Sequence, residues 1–270
     1  MTVMEAIRSR RSVRTFNGEA LRENDAKRIM DHAAAVGNPY GLPIEWRLLD
    51  AKKEALSSPV IVGTDTFIAG KMKRAAHAEE AFGYAFEKVV LFAEALGAGT
   101  TWIAGTMDRS AFEKAMELDP DEVMPCVSPL GYPAKKMSLR ESMMRKGVRA
   151  DSRADFGELF FENEPGSPLT PDKAGRLRDV LEAVRMAPSA VNKQPWRIVL
   201  CPDRAHFYEY KGKGHSSADE WDIQKIDMGI ALCHFELAAD ALGIETAFEI
   251  NEPTISTPEG WRYIASYKIG

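Results

Sequence analysis

The sequence predicts an α+β fold, with antiparallel-rich central sheets flanked by helices and built as two tandem half-units. Three observations carry this expectation. The chain repeats itself at about half its length; an amphipathic helix followed by a β-rich run recurs in both halves; and WRIVLC (Trp196–Cys201) and HFYEY (His206–Tyr210) flank the turn-forming Pro202-Asp203, the pattern of a hairpin.

The repeat is read from aligned segments. LRENDAKRIMDHAAAVGNPYGLPIEWRLLD (Leu21–Asp50) matches LTPDKAGRLRDVLEAVRMAPSAVNKQPWRIVLC (Leu169–Cys201), so that Trp46-Arg47 falls on Trp196-Arg197. Further on, Ala95-Leu96-Gly97 falls on Ala241-Leu242-Gly243. The expected domains are 1–150 and 151–270. The shared Trp-Arg and Ala-Leu-Gly lie outside helix periodicity, which separates a duplication from a chance likeness of two amphipathic helices.

Element by element, Thr2 and Glu5 form a capping box for a helix through Ser9. SSPVIVGTD, residues 57–65, reads as a buried strand. Thr170 before Pro171 reads as a helix N-cap, and that helix places Leu177, Val180, Leu181 and Val184 on one stripe. Residues 226–242 read as an apolar helix stopped by Gly243. Met137, Met143 and Met144, with Arg145, Lys146 and Arg149, read as an arm joining the halves, with a lid over a ligand as the alternative.

Composition narrows the function. The 270 residues carry a net charge of −5, which argues against general nucleic-acid binding. Residues 1–150 hold 22 Lys+Arg and 20 Asp+Glu, a balance of +2; residues 151–270 hold 13 and 20, a balance of −7. Cations for an anionic ligand are therefore available in the first half. The most apolar stretch, Val89 to Gly105, is interrupted by Glu94 and three glycines and is too short to span a bilayer. Cys126, Cys201 and Cys233 form no CxxC pair, and the N-terminus has no apolar signal region. A cytoplasmic protein with reduced thiols and no membrane partner is expected. His32, His77, His206, His215 and His234 show no metal-ligand spacing, and no Ser-His-Asp set is assignable.

Four motifs offer chemistry. Arg10-Arg11-Ser12-Val13-Arg14 concentrates three guanidiniums and a hydroxyl, suited to a phosphate, although its spacing alone favours a solvated basic patch. APSAVNKQPW (Ala187–Trp196) is a loop stiffened by two prolines, whose Ser, Asn and Gln suit either a polar ring edge or a helix-to-strand connection. Gly97–Gly105 would let backbone approach a flat ligand closely, but it lacks the GxGxxG dinucleotide pattern. Leu130–Lys136 is a strand end followed by two cations, alone no more than a turn with surface lysines.

Together, RRSVRTF, APSAVNKQPW, EALGAGTTWIAG and LGYPAKK resemble the flavin-dependent nitroreductase family. The order departs from that family's usual one: the APS…NxQPW loop, normally soon after RRSxR, occurs only in the second repeat. Family members are usually homodimers with FMN at the interface. The resemblance therefore implies a single-chain, pseudo-dimeric branch in which the second repeat replaces the second subunit and the chain is active as a monomer. It implies that Arg10, Arg11, Ser12 and Arg14, with Lys135 or Lys136, hold the phosphate and ribityl end. Pro188, Ser189, Asn192 and Gln194 would face the isoalloxazine, backbone at Ile103, Ala104 and Gly105 would line it, and Lys53 would approach it. The family often has an acidic residue where this chain has Ala104. Opposite Arg10-Arg11-Ser12 the second repeat has Glu158-Leu159-Phe160, and the chain ends at Gly270 before any counterpart of Gly131–Lys136, so one FMN per chain is expected. The implied activity passes hydride from NADH or NADPH, through FMN, to a small conjugated acceptor such as a nitroaromatic or quinone, with no catalytic protein side chain. The alternatives are a non-redox FMN carrier or sensor, and a cofactor-free module docking an anionic partner.

Overall fold

A computed structural model describes residues 1–211 and 222–270; His215 lies outside the described residues. The chain forms two compact units, Met1–Ala150 and Asp151–Gly270.

The first unit runs α1 (Val3–Ser9), α2 (Glu23–Ala35), β1 (Glu45–Asp50), β2 (Thr66–Lys73), α3 (Ala78–Ala95), α4 (Arg109–Ala115), β3 (Glu122–Val123), β4 (Val127–Leu130) and α5 (Leu139–Gly147). The Thr2/Glu5 capping box forms as expected and α1 stops at Arg10. Strand β2 is the centre of an antiparallel sheet, pairing with β1, β3 and β4. Its run Phe67–Met72 is buried throughout. Buried Lys71 is tolerated there because its ammonium meets the Glu122 carboxylate and the Glu117 carbonyl, each at 2.9 Å. Helix α3 is buried along most of its length and packs Phe82 and Phe86 against Trp46 of β1.

The second unit runs α6 (Phe156–Leu159), β5 (Phe160–Glu162), α7 (Arg178–Met186), β6 (Trp196–Cys201), β7 (Arg204–Tyr210), α8 (Ile223–Ala241), β8 (Thr246–Glu249) and β9 (Trp261–Ile269). Its sheet order is β5-β6-β7-β9-β8, parallel only between β5 and β6. The expected β6–β7 hairpin forms. Phe207, Phe235 and Tyr267 pack ring against ring between sheet and α8. His234 is buried, with Nδ1 2.8 Å from the Ala183 carbonyl oxygen, a satisfied core histidine. The architecture is the expected α+β with antiparallel-rich sheets. Both units contain the order helix, strand, strand, helix (α2-β1-β2-α3 and α7-β6-β7-α8). The last helix of each ends before a glycine with positive φ, Gly97 at 78° and Gly243 at 69°.

Two local expectations fail. Residues 57–65 form a turn and one isolated bridge, and the strand begins at Thr66. Pro59 has no N–H to give a ladder, and the Ile61 N–H closes a turn onto the Ser58 carbonyl. Thr170 caps a separate turn and not α7: its Oγ1 accepts the Lys173 N–H at 3.4 Å. A turn and a short 3-10 segment intervene and α7 starts at Arg178, because Gly175 takes φ 53° and breaks the helical path. The expected stripe Leu177, Val180, Leu181 and Val184 is nonetheless buried.

Glu209 on β7 is a further cost inside the second unit. It is 0 % exposed, and among the described residues neither carboxylate oxygen has a hydrogen-bond partner; Lys211 Nζ lies 3.7 Å away. Burial, with Asp222 adding, pushes its carboxyl up to about 7 against the opposing Lys211, Arg262 and Lys225. A raised carboxylate pKa gives stability that is full below its unfolded value near 4.5 and is lost as pH rises through about 7. Glu209→Gln is therefore expected to match the parent near pH 4 and to exceed it at pH 8 by up to about 3 kcal/mol, each pKa unit being worth about 1.4 kcal/mol. Urea unfolding at both pH values checks this. Equal gains at the two would remove titration of Glu209 as the cause.

Candidate functional site

In the first unit the basic motif is an extended ribbon. Leaving α1 at Arg10, the chain has no continuous strand partner, so its backbone bonds to three separate segments. Val13 N–H donates to Thr100 O at 2.8 Å, and Phe16 N–H to Val62 O at 2.8 Å. Val62 and Ala134 return bonds to Arg14 O and Thr15 O, each at 3.0 Å. Val13 and Phe16 are buried, while Ser12, Arg14 and Thr15 are half-buried. Bridges Gly99–Gly131 and Ile103–Val127 complete the set. The ribbon, the glycine loop and the Gly131–Ala134 strand end, separated by up to about 120 residues, are thus brought together.

The glycines serve the protein's own packing. A Cβ at Gly99 would lie 2.9 Å from Val13 Cβ and 3.0 Å from Pro133 Cγ. The close approach inferred for a flat ligand is used here by the ribbon, whereas Gly105 is exposed with open space around it. Ile103 is buried and Ala104 half-buried. The Ala104 carbonyl accepts from Arg109 Nη2 at 2.9 Å, and the same guanidinium donates to Met124 O and Pro125 O.

Two buried carboxylates face the arginines. Glu87 on α3 is 0 % exposed; its Oε2 accepts the Trp102 indole N–H at 3.0 Å, and its Oε1 lies 3.8 Å from Arg10 Nε. One side chain thereby ties the glycine loop to the first arginine. Glu141, buried on α5, lies 3.4 Å from Arg11 Nη1. Burial lowers the Arg14 guanidinium pKa, Glu141 opposes this and Arg145 adds to it. Arg10 is only 9 % exposed, yet its Nε and Nη1 have no hydrogen-bond partner among the described residues; the buried Thr100 and Thr101 hydroxyls have none either. Unpaired donors on a buried cation are costly and suit an anion.

The remaining candidates are placed as follows. Lys135 and Lys136 are exposed, directly after Ala134. Lys53 is exposed in the turn after β1, with Nζ 3.4 Å from Asp50. Of the residues read as a connecting arm, Met143, Met144, Arg145 and Lys146 lie in α5, capped by the Ser138 hydroxyl, while Met137 precedes it and Arg149 follows it; Met143 is exposed and Met144 packs on the first unit's core. In the second unit, Ser189 Oγ accepts Gln194 N–H at 2.9 Å. Gln194 Oε1 accepts Ala154 N–H at 3.0 Å, and Asn192 Nδ2 donates to Ser152 O at 3.1 Å. Pro188 follows the end of α7 at Ala187. Phe160 is the C-cap of α6, so whether counted to Glu158-Leu159-Phe160 or two residues later, the second unit has no cation at this point.

Glu87, Glu141 and Arg109 were missed in the sequence. For Glu87 a signal existed: an acid stands between Gly83, Tyr84, Val90 and Leu91 on the buried face of α3, and a second acid, Glu80, is buried earlier on the same helix. Glu141 and Arg109 carry no such mark.

A family model described as "Putative TM nitroreductase" matches residues 2–239. The chain belongs to this nitroreductase family. Among solved structures, it resembles a "putative nitroreductase" of Thermotoga maritima at 20% identity. That match covers 100% of this chain and 93% of that one, at a TM-score of 0.65, a likeness of fold. An "FMN-dependent Nitroreductase" of Clostridium difficile matches at 17% identity over 52% of this chain and 94% of that one, TM-score 0.42. A "putative nitroreductase in complex with fmn" of Desulfovibrio desulfuricans matches at 20% over 52% and 94%, TM-score 0.41. No curated protein matches. Among the described residues, this nitroreductase-family chain has no helix long and apolar enough to cross a membrane and no group of metal-ligating side chains.

Removing Glu87 would leave the Arg10 charge and the Trp102 N–H buried without their partner. Glu87→Leu is expected to cost about 3–5 kcal/mol, the usual penalty for breaking a buried pair from one side. Urea unfolding followed by tryptophan fluorescence measures it; a loss under about 1 kcal/mol, typical of a surface pair, would rule out the link.

Proposed function

We propose that this chain is an FMN-dependent oxidoreductase of a single-chain, pseudo-dimeric nitroreductase branch. The observation that carries the reading is the buried Arg10 guanidinium, whose Nε and Nη1 have no hydrogen-bond partner among the described residues and whose ion-pair partner Glu87 stays 3.8 Å away, on the ribbon that also bears Ser12 and Arg14. A phosphate dianion is the chemistry that answers such donors. Arg10, Arg11, Ser12 and Arg14, with Lys135 or Lys136, are assigned to the phosphate and ribityl end. Backbone at Ile103, Ala104 and Gly105, and Pro188, Ser189, Asn192 and Gln194, are assigned to the isoalloxazine; Lys53 is the weakest assignment, being paired with Asp50.

Bound FMN would supply two-electron chemistry, taking hydride from NADH or NADPH and delivering it to a small conjugated acceptor such as a nitroaromatic or quinone. The protein's part is to bind and orient. Glu87 and Glu141 offset part of the arginine charge and fix the guanidiniums. Arg109 holds the loop carbonyls at Ala104. The three cysteines are free, which supports a reducing, cytoplasmic setting.

The purified protein is expected to show flavin absorbance that bleaches on adding NADH or NADPH. A colourless protein that takes up no FMN would overturn the reading, and flavin that resists both donors would favour a carrier or sensor. Arg14→Ala should weaken FMN binding roughly 10- to 150-fold, one charge-assisted bond being worth about 1.5–3 kcal/mol; unchanged affinity places the phosphate elsewhere.

The residues assigned to FMN come from both halves of one chain, and one FMN per chain is expected. Mixing Arg10→Ala/Arg14→Ala chains with Ser189→Ala/Asn192→Ala chains should restore no activity, because each chain carries its own damaged residues. Recovery on mixing, or two flavins per chain by absorbance, would contradict the single-chain assignment.

A further inference from the structure

We propose that Asp227 of α8 is a positioning residue for the loop Pro188–Gln194, holding in place the residues assigned to FMN. The proposal rests on the flavin reading above.

The loop is held in an unfavourable shape. Val191, Asn192 and Gln194 have φ of 44°, 59° and 50°, three non-glycine residues in the left-handed region within four positions. Val191 is the least suited of these, because a β-branched side chain crowds its own backbone there. It is also 65 % exposed, so packing of its side chain does not hold it. Such backbone persists only where its surroundings over-determine it. Here the tethers are polar. Ser189 Oγ accepts Gln194 N–H at 2.9 Å, Asn192 N–H donates to Ser189 O at 3.0 Å, and Gln194 Oε1 accepts Ala154 N–H. These bonds close the loop on itself and on the chain before α6.

Asp227 supplies the anchor from the core. Its Oδ1 and Oδ2 lie 3.0 and 3.1 Å from Ala190 N, directly before the first left-handed residue. Asp227 is 3 % exposed, on a helix whose neighbouring Ile226, Met228 and Ile230 are apolar core. A carboxyl in such surroundings is costly, and an apolar residue would serve packing better. Glycine at 191 would likewise relieve the backbone. Both unfavourable choices act on the same few residues, among them Ser189, Asn192 and Gln194. Their shared effect is a fixed backbone path from Pro188 to Gln194, and that path is what a flavin ring edge would require of them.

Backbone amide exchange and FMN titration test this together. In the parent protein the Ala190 amide should be protected although Val191 next to it is exposed; exchange at an unstructured rate would overturn the proposal without any variant. Asp227→Leu is expected to speed exchange at Ala190 while amides elsewhere in α8 stay protected, and to weaken FMN binding at least tenfold. Asp227→Asn keeps an acceptor oxygen and should restore both to within about threefold of the parent, a rescue that general loss of packing would not show. Asp227→Leu with parental exchange and parental FMN affinity overturns the proposal, as does failure of Asp227→Asn to rescue. If Asp227→Leu does not fold, the parent and Asp227→Asn exchange rates decide. If the parent takes up no FMN, the flavin reading fails, while Ala190 exchange still decides whether Asp227 positions the loop.

Discussion

The ribbon after α1 must find hydrogen bonds without a strand beside it, and the first unit is arranged around that need. A buried N–H or carbonyl left unpaired costs as much as a lost hydrogen bond. Thr100, Val62 and Ala134 each supply part of what Val13 to Phe16 lack. Those partners belong to the glycine loop, the turn before β2 and the strand end after β4. Satisfying the backbone of Val13 to Phe16 therefore fixes the relative placement of three segments far apart in sequence, and carries Arg10, Ser12 and Arg14 to the same place.

The electrostatics follow from the same arrangement. Three arginines drawn together would repel one another in partly buried surroundings. Glu87 and Glu141, both buried, moderate this from α3 and α5. Glu87 also holds the Trp102 indole, so loop position and guanidinium position are not independent. The second unit lacks this machinery: its short α6 leads directly into β5, with aromatic residues where the arginines stand.

Much of this was legible from residue order alone, and the limits are physical. The Thr2/Glu5 box, the β6–β7 hairpin and the apolar α8 are local patterns, decided by residues a few positions apart, and the apolar neighbours of His234 in α8 mark it as core although its partner Ala183 is 51 residues away. The four motifs were also visible, but not that the ribbon consumes the space at Gly99. Contacts such as Arg11–Glu141 join positions 130 residues apart and leave no periodic trace. The misread strand at 57–65 shows a local rule outweighed: β-branched residues favoured a strand, while Pro59 and the Ser58–Ile61 turn prevented one. The displaced start of α7 has the same character, since Thr170-Pro171 is a sound helix start but Gly175 interrupts the path.

The contact between Gly99 and Val13 bears on how defects in this protein should be interpreted. Residue 99 works as a spacer whose thickness sets the distance between ribbon and loop, and a methyl group there already meets Val13 and Pro133 at or below 3.0 Å. Any larger residue must displace the ribbon, and the arginines travel with it. A chain altered at this position would look like one that had lost a ligand contact, although every contacting side chain was still present. The fault would lie in the alignment of the frame, and restoring charge at the arginines would not correct it.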